Sequence, residues 1–187
     1  MAASFPTTIR KSTAMSDLAA INRNEPIAGS WEFRPMERDR ARSVLRWRYD
    51  PPYDYYNPLP PQRAEWLPIF CDPKNSYFSL ENEALETCAF CCFGGEARVP
   101  GGIYADPAVD IGLGVRPDLT GKGRGSEFVA LVVAFARARY SPTALRVTVA
   151  TFNKRAKRVW RRAGFRFAER FARELDGHLF QVFVLRD

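Results

Sequence analysis

The residues best suited to chemistry lie between Val109 and Ser126, where the chain reads Val-Asp-Ile-Gly-Leu-Gly-Val-Arg-Pro-Asp-Leu-Thr-Gly-Lys-Gly-Arg-Gly-Ser. This is a strand pattern, then a glycine-rich loop carrying Lys122 and Arg124, then the opening of a helix. Gly121, Gly123 and Gly125 have no Cβ to block the approach of a ligand, so successive main-chain N–H groups can turn toward one point. The helix that follows directs its positive end to the same place. Thr120 through Ser126 is therefore a candidate anion cradle, and a phosphorylated ligand is its expected guest.

Spacing excludes two familiar phosphate loops. A P-loop needs Gly-Lys followed by Ser or Thr, whereas Gly121-Lys122 is followed by Gly123. A dinucleotide fingerprint needs G-x-G-x-x-G. From Gly121 the third glycine falls one residue early, at Gly125.

A second segment adds specificity: Asn153-Lys154-Arg155-Ala156-Lys157-Arg158-Val159-Trp160-Arg161-Arg162-Ala163-Gly164-Phe165. Together the two segments resemble the GCN5-related N-acetyltransferases (GNAT). That family has a loop Q/R-x-x-G-x-G/A, then a helix, a strand and N-x-x-A-x-x-x-Y-x-x-x-G-F. Gly123 and Gly125 match the loop; Asn153, Ala156, Gly164 and Phe165 match the second motif. The resemblance is clear over residues 109–165 and extends in outline from Trp31 to the C-terminus. Two positions depart from it. Thr120 stands where Gln or Arg is usual. Trp160 stands where many members carry a Tyr thought to protonate the departing thiolate, and an indole N–H is not a usable acid near neutral pH.

The resemblance implies an α/β fold with a mixed, largely antiparallel sheet of about seven strands. Helices would lie on both faces, and two central parallel strands would splay apart to admit acetyl-CoA. It implies an acyl-CoA-dependent N-acyltransferase that moves an acetyl group to a primary amine by direct transfer. A non-catalytic acyl-CoA-binding module of the same fold is the alternative. Main-chain N–H groups from Gly121 to Ser126 would hold the pyrophosphate, and Leu113 to Val115 would pair with the pantetheine amides. The N–H of Val115 would polarise the thioester carbonyl, Asn153 would contact the pantetheine arm, and Trp160 would pack along that arm or in the core. Asp110 is the first candidate for a base, because a free alkyl amine is mostly protonated at neutral pH. Glu32, Glu81, Glu83 and His178 follow it, and Tyr53, Tyr55 or Tyr56 could supply an acid if their proline-rich loop covers the cleft.

Bulk properties agree with one globular domain. The chain has 187 residues, 46% of them hydrophobic and 13% aromatic, enough for a sizeable core. Residues 1–30 read as a flexible tail and residues 31–187 as the domain. No apolar run has the length of a membrane span, and a cytoplasmic location is expected, with organelle import of the tail as the alternative. The formal charge of +7 suits an anionic ligand. Six cations fall between Lys154 and Arg162, and most are expected to form a solvated helix face rather than a nucleic-acid surface, whereas Lys122 and Arg124 inside the loop are expected to contact a phosphate. Cys88, Cys91 and Cys92 lie in an apolar strand without the second ligand pair that zinc needs, so no metal is expected. A monomer or homodimer is expected. Among the helices, 127–140 has the strongest periodicity, with Ser126 as its predicted N-cap.

Overall fold

The computed structural model describes residues 30–186 together with a two-residue strand, Thr8–Ile9. Apart from that strand, the expected tail lies outside the described residues. The elements run β1 (Thr8–Ile9), β2 (Trp31–Pro35), α1 (Arg38–Leu45), α2 (Pro60–Cys71), β3 (Tyr77–Glu81), β4 (Thr87–Phe93), β5 (Val109–Val115), α3 (Gly125–Tyr140), β6 (Ala144–Ala150), α4 (Lys154–Arg162), β7 (Arg166–Ala172) and β8 (Leu179–Arg186). They form one mixed sheet in the order β1-β2-β3-β4-β5-β6-β8-β7, in which only β5 and β6 run parallel.

Period-2 alternation along the strands separates the two faces of the sheet. Phe78 on β3 and Phe93 on β4 meet Phe135 of α3. Phe33 of β2 stacks on the same ring at 4.1 Å. Phe128, Val129, Val132 and Ala136 complete the buried stripe of α3. On the opposite face, Tyr77 and Phe90 pack against α1 and α2 through Phe70 and Trp47. The helices thus sandwich the sheet, and the α3 stripe is the one that the period of residues 127–140 predicts.

Gly112 and Gly114 of β5 serve this packing. Their register partners across the ladder are Cys92 and Phe90. A Cβ at Gly114 would lie within 3 Å of the Phe90 ring, and one at Gly112 would meet the Cys92 sulfur. The missing side chains let a large aromatic fold over β5 beside the future site.

Cys88, Cys91 and Cys92 are buried free thiols. Burial pushes the Cys92 thiol up to about 12 and raises Cys91 and Cys88 as well, so none supplies a thiolate at neutral pH. A small aromatic disulfide reagent is expected to titrate only Cys71 rapidly in the native protein, and all four cysteines after denaturation. Rapid native reaction of two or more would contradict this packing. Among the described residues no helix is long and apolar enough to cross a membrane.

Candidate functional site

Parallel pairing of β5 with β6 covers only Val109↔Leu145, Asp110↔Arg146 and Ile111↔Val147. Beyond it the strands part, and each leans on its antiparallel neighbour, β4 or β8. Arg116 N–H donates to the Cys88 carbonyl at 2.9 Å. Antiparallel ladders alternate residue by residue. Gly114 and Gly112 therefore also bond toward β4, while Leu113 and Val115 turn their N–H and C=O groups into the gap. These two residues form a short free strand edge, as the resemblance implies.

The glycine loop follows directly. A 3₁₀ turn at Pro117–Leu119 is closed by Thr120, whose hydroxyl donates to the Pro117 carbonyl at 2.8 Å. Its side chain is thereby spent inside the loop. Gly121 and Gly123 adopt φ of 74° and 80°, a left-handed conformation that excludes most side chains. Arg124 at φ −78°, ψ −4° already has helical angles and occupies the N-cap position without a side-chain cap. Ser126 therefore lies inside the first turn of α3 and is not the N-cap, because the turn at Gly123 starts the helix earlier than the sequence pattern suggests. The result is an open helix end. The N–H groups of Gly121, Lys122, Gly123, Arg124, Gly125 and Ser126 find no acceptor among the described residues. Alternating left- and right-handed residues at a helix N-terminus make an anion nest.

Of the two loop cations, Lys122 is exposed. Arg124 is committed elsewhere: its guanidinium forks onto Glu127 at 2.9 and 3.0 Å and lies over the Trp31 and Phe128 rings. The expectation that Arg124 reaches a phosphate is corrected accordingly. Arg155 is the cation that stands beside the loop. Val159 of α4 packs on Gly125, its Cγ1 3.0 Å from where a Cβ would be, and Arg155, one turn earlier on the same face, brings its guanidinium beside Gly121. There it is held flat over the Tyr53 ring at 3.6 Å. The i,i+4 relation of Arg155 to Val159 was the available signal. It was hidden among six similar cations.

Asp110 does not face the gap as a base would. It is 1% exposed and receives both arms of Arg146, at 2.5 and 2.9 Å, and Arg98 Nε at 2.8 Å. Five residues of strand, about 16 Å, separate it from Val115. Asp110 and Arg146 are register partners on the middle parallel rung, so the pair clasps β5 to β6 just before they diverge. A carboxylate enclosed by two guanidinium partners and shut off from solvent is out of reach of an amine substrate. The other candidates are engaged too. Glu81 is buried with Arg40 and Arg34, and Glu32 pairs with Arg34. Glu83 accepts from Ser30, and His178 leans on Asp176 and Tyr55.

Trp160 is 4% exposed and packs edge-on against Phe165. Its ring belongs to the core and not to a cofactor channel, which corrects its place among the cofactor-binding residues. Asn153 caps α4: its Oδ1 accepts from the Ala156 N–H at 3.0 Å, and its Nδ2 donates to the Tyr56 hydroxyl at 3.2 Å.

The Tyr49–Tyr56 segment spans the gap. Tyr49 O–H donates to the Val115 carbonyl at 2.9 Å on one bank, and Tyr56 meets Asn153 on the other. Phe152 anchors the segment, touching Tyr53, Tyr55 and Tyr56. Burial, with Tyr56 adding to it, holds the Tyr49 phenol far above its ordinary range.

Residues 31–166 match the acetyltransferase (GNAT) domain family. No curated protein matches at the level of sequence. Solved structures similar in fold include a spermidine N-acetyltransferase SpeG chimera from Vibrio cholerae and hSSAT, with TM-score 0.64 and 13% identity, covering 83% of this chain and 95% of that one. An acetyltransferase (GNAT family) from Bacillus anthracis follows, with TM-score 0.62 and 14% identity over 83% and 94% of the two chains. A structure described as a putative phosphinothricin N-acetyltransferase has TM-score 0.59 and 18% identity over 84% and 98%. At these identities the likeness is one of fold.

Proposed function

Because the chain belongs to the GNAT family of acetyltransferases, we propose that it carries an acetyl group from acetyl-CoA directly to a primary amine. The observation that carries this reading is the row of six unused N–H groups from Gly121 to Ser126, one loop away from the free edge of Leu113 and Val115. The first feature suits a diphosphate and the second an amide-bearing arm. An extended pantetheine would add to the edge as a short strand. A strand N–H at Leu113 or Val115, fixed by the sheet, would stabilise charge developing on the thioester oxygen.

Tyr49 holds the Val115 carbonyl, which leaves the Val115 N–H and both main-chain groups of Leu113 on this edge for the amides of the arm. Lys122 and Arg155 supply positive charge next to the cradle. Arg155→Ala is expected to weaken acetyl-CoA binding about tenfold, the loss of roughly one charge-assisted contact. Titration calorimetry measures it, and unchanged affinity would remove Arg155 from the site.

The decisive experiment combines calorimetry of acetyl-CoA with a thiol-release assay over several primary amines, among them spermidine, phosphinothricin, a lysine-containing peptide and an aminoglycoside. Saturable binding with amine-dependent thiol release above hydrolysis is expected. Binding without release by any amine would reduce the chain to a carrier of acyl-CoA. Absence of binding would remove the reading altogether.

A further inference from the structure

With Trp160 buried against Phe165, the position that the family motif reserves for a phenol offers no acid. Direct transfer still generates a thiolate. We infer that Tyr56 is the general acid of this site, its phenol oriented by Asn153 to give its proton to the departing sulfur of coenzyme A. The inference rests on the acetyl-CoA reading above.

Orientation by a fixed amide sets this residue apart from its neighbours. The Oδ1 of Asn153 must face the Ala156 N–H, because only the oxygen can accept there. The amide is thereby fixed, and Nδ2 is the atom turned toward Tyr56. Nδ2 can only donate, so the phenol oxygen accepts and its own proton points elsewhere. Among the described residues that proton has no acceptor.

The other phenols of the segment are placed away from the Asn153 amide, and only that of Tyr49 is hydrogen-bonded among the described residues. Tyr49 donates to the Val115 carbonyl, the Tyr53 ring lies beneath Arg155, and the Tyr55 hydroxyl is buried beside Arg173. Tyr56 stands on the bank opposite Leu113 and Val115, so a thioester paired with that edge has its sulfur between the two. Desolvation of the hydroxyl, reinforced by Tyr55 and Tyr53 and opposed by the Asn153 hydrogen bond, raises the Tyr56 phenol above its ordinary range. It is protonated throughout neutral pH. The charged and titratable groups around it are Tyr49, Tyr53 and Tyr55 on its own segment, Arg155 on α4, and Arg173, Asp176 and His178 beyond Tyr55.

The step balances. The amine nitrogen bonds to the acetyl carbon, the C–S bond breaks, and sulfur takes the Tyr56 proton to leave as a thiol. The proton shed by nitrogen as it becomes an amide passes through water to the phenolate and restores it.

The test is Tyr56→Phe, which keeps the ring, beside Tyr49→Phe and, at the far end of α3, Tyr140→Phe. Tyr56→Phe is expected to lower kcat about a hundredfold, with KM for acetyl-CoA within about twofold and acetyl-CoA thermal stabilisation retained. A second readout needs no turnover. Ionisation of the bound coenzyme A thiol, followed by thiolate absorbance in the ultraviolet, should move up by about one to two pH units in Tyr56→Phe, because a hydrogen bond to the charged form is lost. Tyr140→Phe should behave as wild type in both. Wild-type turnover with an unchanged Tyr56→Phe, or with both effects appearing in Tyr49→Phe instead, would overturn the assignment and leave the proposed function standing. No turnover by the wild type with any amine would remove both.

Discussion

Asp110→Ala is expected to destabilise the fold by about 3–5 kcal/mol, because it strands one fully buried guanidinium and one partly exposed one. Arg146 is 3% exposed, and its remaining partners are the Asp106 carbonyl at 3.1 Å and the face of Tyr104 at 4.9 Å. Neither neutralises a full charge. For a domain of this length the loss corresponds to a fall in melting temperature on the order of 10 °C. Urea unfolding measures it. A double replacement, Asp110→Leu with Arg146→Met, should recover much of the loss, since an apolar pair of similar volume avoids the desolvation penalty. If Asp110→Ala instead melts like the wild type and loses only activity, the carboxylate is a base after all and the clasp is a minor feature.

Gly123→Val is expected to abolish stabilisation by acetyl-CoA. A Cβ at Gly123 meets nothing within 4 Å, so this substitution acts through the backbone and not through packing. At φ 80° a β-branched residue is strained by about 1–3 kcal/mol. Relief requires the loop to rotate, and rotation scatters the N–H groups that make the nest. The wild type at a hundredfold excess over Kd should gain about 2.7 kcal/mol, a shift of several degrees in thermal unfolding. Gly125→Val should give the same loss by a second route, forcing Val159 and α4 away from the cradle. A shift that survives both substitutions would place the diphosphate elsewhere.

How far the sequence could be read depended on whether a feature is local. The α3 stripe follows from spacing within one element, and the structure shows it; the cap at Asn153 and the left-handed Gly164 that ends α4 are local in the same way. The free edge at Leu113 and Val115 followed from the family resemblance, and hydrogen-bond alternation on β5 now gives its physical basis. What failed was pairing across the chain. Asp110 looks like a free strand-end acid until Arg146, 36 residues away, is placed on the adjacent rung. Arg124 looks like a phosphate ligand until Glu127 folds back on it. Ser126 has the composition of a cap, but two left-handed glycines start the helix before it. The aromatic segment was visible as a break in regular structure. That two of its phenols reach opposite banks of one gap depends on Val115 and Asn153, which are 66 and 97 residues from Tyr49 and Tyr56.

The outward side of α4 has a kinetic consequence. Lys154, Arg158, Arg161 and Arg162 are exposed, and they share the helix whose Arg155 and Val159 border the cradle. Their charges project into water, where ions attenuate them within about 8–10 Å at ordinary salt. They contribute little to how firmly a polyphosphate is held, but they draw it in from a distance. Neutralising them should slow capture and flatten its dependence on ionic strength, while the dissociation rate stays almost constant.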